Sequence, residues 1–208
     1  VTIFDSGADT ESYVSFVATD NYAGGQMAAR RLGQLLGGKG KVAIIAVVPG
    51  SASTTDRERG FQHTIQKEFP GVRVAALQYG MSDRARSLAV SEDILTAHPD
   101  LDGIFASNES SAVGAAQALK SRGLSGKVRL VGFDSSPSLV DDLKGGTIDS
   151  LVVQNPYRMG YEAVKTIVEY LEQKTPPRRI DSGAVLVTRE NMHTPEVQKL
   201  LNPPLVGM

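Results

Sequence analysis

The stretch Val128-Arg129-Leu130-Val131-Gly132-Phe133-Asp134 decides the fold. Its apolar run suits a strand covered on both faces, and it ends in a glycine, an aromatic ring and a carboxylate. Ser135-Ser136-Pro137 follows as a helix start, since hydroxyls cap free N–H groups and a proline in the first turn forfeits no hydrogen bond. Asp134 therefore stands at the carboxyl end of a strand. In open α/β sheets that edge is where strand ends and helix starts converge on a ligand crevice.

Upstream, the same unit recurs. The apolar run Val42 to Val48 predicts a strand, followed by a polar loop Pro49 to Thr55 and a helix to about Phe69, which Pro70-Gly71 ends. Strand Val72 to Tyr79 precedes helix Asp83 to Ala97, and strand Gly103 to Ala106 precedes helix Ser110 to Arg122. Between Asn21 and Leu36 the residues Ala23, Met27, Ala28, Leu32, Leu35 and Leu36 recur at helical spacing, and Gly37-Gly38 stops them. Before that helix stand two short strands, Val1 to Phe4 and Tyr13 to Thr19. Downstream of Asp134 come a helix to Lys144, strand Ile148 to Gln154, helix Pro156 to about Gln173, a Pro176-Pro177 linker and a last strand Ala184 to Val187. Strand alternating with helix specifies parallel strands with right-handed crossovers, a doubly wound α/β sheet.

Composition narrows the function. With 22 basic and 23 acidic residues among 208 the net charge is −1, and no basic run forms a footprint for nucleic acid. Cysteine is absent, which excludes disulfides, thiolate metal sites and cysteine nucleophiles. No apolar stretch approaches the roughly 20 residues that span a bilayer. The start Val1-Thr2-Ile3-Phe4-Asp5 has neither methionine nor an apolar leader and reads as a processed or truncated product.

Polar side chains at the predicted carboxyl edge are Asp5, Arg57, Asn108, Asp134 and Gln154. Carboxylates accept hydroxyl hydrogen bonds, arginine donates a planar fork, and the amides do both, a set suited to a neutral polyol or sugar. Taken singly, Asn108 reads equally as a helix N-cap, Gln154 as a strand-end residue, and Arg57-Glu58-Arg59 as part of a solvated first helical turn. Their co-occurrence on one edge points to a ligand. Gly37-Gly38-Lys39-Gly40-Lys41 follows a helix and precedes a strand, the reverse of a phosphate loop, and is read as a turn. His63, His98 and His193 are isolated, and neither a Gly-x-Ser-x-Gly elbow nor metal-ligand spacing occurs, so no metal, cofactor or catalytic residue is expected.

The motifs Asp20-Asn21-Tyr22-Ala23-Gly24-Gly25, Arg57-Glu58-Arg59-Gly60-Phe61, Ala97-His98-Pro99-Asp100, Phe105-Ala106-Ser107-Asn108 and Val131-Gly132-Phe133-Asp134 resemble the ribose-binding-protein type of sugar-binding solute receptor. The likeness runs in order from Asp5 through Gln154-Asn155-Pro156 to Leu186-Val187-Thr188-Arg189-Glu190-Asn191. It implies a type I periplasmic-binding-protein fold, with two doubly wound lobes joined by three crossings that close on a monosaccharide or polyol in the periplasm and deliver it to an ABC transporter permease. A chemoreceptor is an open further partner. By position, Asp5 resembles the first-lobe aspartate that takes sugar hydroxyls, and Arg57, Asn108, Asp134 and Gln154 the second-lobe ligand set. Ser6 stands where ribose receptors carry an arginine, and an aromatic of the second lobe is replaced near Ser82, which leaves the sugar open.

The resemblance further implies one complete lobe and fragments of a second. Residues 1–19 would be a remnant of the N-terminal lobe and the first hinge crossing, 20–154 the C-terminal lobe, 155–180 an N-terminal-lobe helix, and 181–208 a return to the C-terminal lobe with a tail. On that reading Val164, Ile167, Val168 and Leu171 lack part of their sheet, and the 208-residue chain alone is expected to bind sugar weakly or not at all. The rival with the same fold is the effector-binding core of a lac-repressor-type regulator.

Overall fold

The computed structural model describes residues 1–203. Its strands are β1 (Thr2–Phe4), β2 (Ser15–Ala18), β3 (Lys39–Ala46), β4 (Gly71–Tyr79), β5 (Gly103–Ala106), β6 (Arg129–Phe133), β7 (Ser150–Gln154), β8 (Arg179–Asp181) and β9 (Ala184–Thr188). The helices are α1 (Asn21–Leu35), α2 (Ala52–Glu68), α3 (Arg84–Ala97), α4 (Glu109–Ser121), α5 (Pro137–Lys144), α6 (Pro156–Leu171) and α7 (Pro195–Leu201). They build a six-stranded sheet of order β4-β3-β5-β6-β7-β9 and a three-stranded sheet of order β1-β2-β8.

The larger sheet is covered on both faces because its strands are apolar on both. Val42, Ile44 and Ala46 join Phe61, Phe105 and Phe133 beneath α1 and α2, while Ala43 and Ile45 join Ile104, Leu119, Leu130 and Leu151 on the opposite face. All strands of this sheet run parallel except β9, which pairs antiparallel with β7 from Ser150↔Thr188 to Gln154↔Ala184. Alternation of strand and helix does not encode this reversal. No helix intervenes between β8 and β9, so the chain can return along the edge in the opposite sense.

In the smaller sheet β1 and β8 flank β2 in parallel, and α6 packs on it through Met159 and Ala163 against Val17. The chain passes between the sheets at Thr19–Asp20, at Asn155 and at Ser182–Gly183. The first and third passages are tied by the buried Thr19 and Ser182 hydroxyls, 3.3 Å apart, and by the Asp20 N–H donating to the Asp181 carboxylate at 3.0 Å.

One further sequence expectation is corrected, and two short elements lie outside the sequence reading. Helix α2 begins at Ala52 inside the predicted Pro49 to Thr55 loop, which moves Arg57 from the first turn to the second. Its serines and threonines read as loop by composition, yet Ser53 and Thr54 are buried by packing. The short β8 and α7 went unpredicted. The Pro176-Pro177 linker obscures the onset of β8, and α7 spans only Pro195–Leu201. Residues 204–208 of the predicted tail lie outside the described residues.

Candidate functional site

Glycines set the site by letting two helices touch. A Cβ on Gly25 of α1 would lie 1.9 Å from the Arg57 carbonyl oxygen, and one on Gly60 of α2 would lie 2.2 Å from that of Tyr22. Backbone therefore meets backbone. This contact is the physical content of the Asp20-to-Gly25 and Arg57-to-Phe61 motifs, and it carries Arg57 under the carboxyl edge, beside the point between β3 and β5 where strand order reverses.

Arg57 is 3% exposed. Its Nε donates to Asn21 Oδ1 at 2.8 Å, its Nη1 donates to the Ser107 carbonyl at 2.9 Å, and its Cζ lies 3.9 Å from the centre of the Phe133 ring. Burial pushes its pKa down, opposed by the carboxylates of Asp134, Asp5 and Glu58, and guanidinium remains protonated throughout the working range. Glu58, next in sequence, is also buried. Its Oε1 accepts from the Val47 N–H at 3.2 Å and from the Ser107 hydroxyl at 3.0 Å. Burial raises its pKa against these two bonds and the nearby Arg57 charge.

In front of Arg57 stands Asp134, with Oδ2 3.8 Å from Nη1. The same oxygen accepts from the Glu109 N–H at 3.1 Å, while Oδ1 accepts from Gln154 Nε2 at 2.6 Å. Gln154 Oε1 is buried with no partner among the described residues. The φ of Asp134 is 71° and that of Asp5 is 67°, left-handed values that a non-glycine residue holds only when its surroundings impose them. Met81 and Ser82, just past the carboxyl end of β4, share this strain with φ of 56° each. Among the described residues, four of the five such non-glycine positions thus stand just past strand ends, the fifth being Gln173 after α6.

Asp5, Asp134 and Gln154 line one cavity of about 400 Å³ between the two sheets, with Phe4, Pro156 and Met159 as its apolar walls. Asn108 caps α4, its Oδ1 accepting from the Ser111 N–H at 2.9 Å, and stands next to the Glu109 N–H that Asp134 holds. Ser6 turns instead toward α2, where its hydroxyl accepts from the Ser53 N–H at 3.4 Å. A larger cavity, about 530 Å³, lies between α5 and α7 and is lined by Asp141, Lys144, His193 and Gln198, but by none of the ligand candidates Asp5, Ser6, Arg57, Asn108, Asp134 and Gln154. Sequence reasoning missed Asn21, Glu58, Ser107 and the ring of Phe133 as supports of Arg57. All four lie within the quoted motifs, so their recurrence beside the ligand candidates was the available signal. Among the described residues no group of three His, Cys, Asp or Glu could hold a metal ion. None of their helices is long and apolar enough to cross a membrane.

Two sheets joined by three passages, with a polar cavity between them, define a type I periplasmic-binding-protein fold, and the model for the periplasmic binding protein domain matches residues 1–175. The chain belongs to that family. It is 30% identical over 190 residues to the ribose import binding protein RbsB of Bacillus subtilis, across 91% of this chain and 61% of that protein. It is 34% identical over 172 residues to RbsB of Haemophilus influenzae, across 83% of this chain and 58% of that one. The chain thus spans about three fifths of the length of the curated relatives it matches. Among solved structures, a carbohydrate transporter solute binding protein from Agrobacterium radiobacter in complex with D-arabinose superposes with a TM-score of 0.94 at 38% identity, covering 97% of this chain and 70% of that one. An ABC transporter solute binding protein from Agrobacterium vitis with bound D-fucose gives 0.93 at 35% identity, over 96% and 70%.

Proposed function

We propose that this chain belongs to a periplasmic solute receptor that captures a neutral monosaccharide or polyol between its sheets and hands it to an ABC-type permease, without catalysing a reaction. One observation carries this reading: Asp5 from the smaller sheet and the Asp134–Gln154 pair from the larger face a single cavity, with a buried guanidinium behind them. Such a site offers acceptors to hydroxyl groups from both sides, so a sugar contacts both sheets only when they approach. Ligand then selects the closed arrangement. The passages near Phe16 to Asp20 and Gln154 to Pro156 absorb the rotation, and a permease, or a chemoreceptor, would read the closed form. The division into residues 1–19 and 155–180 on one lobe, and 20–154 and 181–208 on the other, belongs to the same proposal.

The ligand set is Asp5, Arg57, Asn108, Asp134 and Gln154, with Ser6 shaping specificity where a larger cation would add a donor. Sugar import receptors among the relatives support transport over the repressor-core alternative. Calorimetric titration of the full-length receptor to which this chain belongs with D-ribose, D-arabinose, D-fucose and a sugar phosphate tests the proposal, the 208-residue chain alone being expected to bind weakly or not at all. Saturable binding of at least one neutral sugar, lost in Asp134→Ala with thermal unfolding preserved, is expected; unaltered affinity in that variant overturns the site.

A further inference from the structure

A guanidinium has five N–H donors in one plane, so its orientation decides which of them a ligand meets. In Arg57 the Phe133 ring fixes the tilt of that plane, and two bonds fix its rotation, Nε to Asn21 and Nη1 to the Ser107 carbonyl. Nη2 makes no hydrogen bond to another described residue, which leaves it as the donor available to a ligand. Without the Asn21 bond the polar restraint falls on Nη1 alone, held by the Ser107 carbonyl and facing Asp134.

Asn21 is 7% exposed and uses both ends of its amide. While Oδ1 holds Arg57, Nδ2 donates to the Thr19 carbonyl at 3.1 Å. Thr19 lies in the first passage between the sheets and is tied through its hydroxyl to Ser182 in the third. One side chain therefore touches the passages on one side and the cleft arginine on the other.

We propose that Asn21 is a positioning residue: its side-chain oxygen turns the Arg57 guanidinium so that Nη2 faces the cleft. Only the identity of what Nη2 meets rests on the sugar-receptor reading. Asn21→Asp keeps the acceptor for Arg57 and loses the donor to Thr19. Asn21→Ala loses both.

The test is the Nε–Hε resonance of Arg57 in the 15N-labelled protein, assigned by its disappearance in Arg57→Lys. Slow solvent exchange is expected in the native protein, exchange faster by at least about tenfold in Asn21→Ala, and recovery in Asn21→Asp, as for a charge-assisted hydrogen bond lost and restored. In parallel, titration of the full-length receptor with D-arabinose and D-ribose should show affinity lowered about tenfold in Asn21→Ala and largely recovered in Asn21→Asp. Unchanged Nε–Hε exchange in Asn21→Ala overturns the proposal, as does equal loss of affinity in the two variants. A native full-length receptor that binds neither sugar counts against the receptor reading, and the exchange measurement then decides the positioning role alone. Should Asn21→Ala fail to fold, Asn21→Ser, whose hydroxyl stops short of Arg57, reads the same exchange.

Discussion

The two sheets bury their apolar residues to very different extents. Around the larger one Ile44, Ile45, Phe61, Phe105 and Phe133 are all 0% exposed, sealed by helices on both faces. Against the smaller one α6 buries Met159, Ala163 and Thr166, while Val164 is 64% exposed and Leu171 74%. Both regions carry apolar residues at the right period, so pattern alone does not make a core. A core forms where a second layer exists to receive the pattern.

Substitutions can sharpen this contrast or break it. Phe105→Ala removes a ring stacked on Phe61 with centroids 4.5 Å apart and should cost about 3–5 kcal/mol in urea unfolding. A smaller loss, of the size of an exposed site, would mean that the larger sheet is less tightly packed than its burial implies. Gly25→Ala comes next, since its methyl group must displace the α2 backbone at Arg57. A cost of about 1–3 kcal/mol is expected, together with weaker sugar binding at equal occupancy of the folded state. Unaltered stability would show that α1 and α2 separate freely.

Glu58 tests the charged interior of the same region through pH. Its folded pKa is raised by burial above the ordinary value of 4.5, so the folded state holds the proton more tightly than the unfolded chain. Its contribution to stability is fully present below that ordinary value and is lost as pH rises through the folded pKa. Glu58→Gln keeps an oxygen for Val47 and Ser107 and removes the titration. The variant should therefore gain stability relative to the native protein as pH rises from about 4 toward neutrality. A constant difference across that window would place the pKa shift elsewhere. The smallest effect is expected at the exposed end of the contrast, where Val168→Ser on α6 should change stability by no more than about 0.5 kcal/mol. A cost near that of Phe105→Ala would reveal that this face is covered in solution.

Much of the site was legible because its residues sit at predictable points of a repeating unit. Strand β6 ends at Phe133, one residue before Asp134, and Asn108 caps α4, the helix that follows β5, as its spacing implies. Arg57 was identified for the cleft but not for its burial, because the sequence places it on a helix without showing what lies against that helix. The direction of β9 and the existence of β8 were hidden for a related reason. A strand of Arg179–Asp181 has no periodicity of its own and is defined by the hydrogen bonds of β2 beside it.

By itself, then, the sequence determined the strand and helix alternation, the carboxyl edge and the acidic, amide and guanidinium groups upon it. Those follow from local chemistry: side-chain period, caps, glycines and prolines within a few residues of each element. Tertiary structure decided that Asp5 meets Asp134 and Gln154 across one cavity, that Glu58 is enclosed, and that Asn21 holds Arg57. Each of those contacts joins residues far apart in the chain, and a hydrogen bond between distant groups leaves no period in the sequence of either.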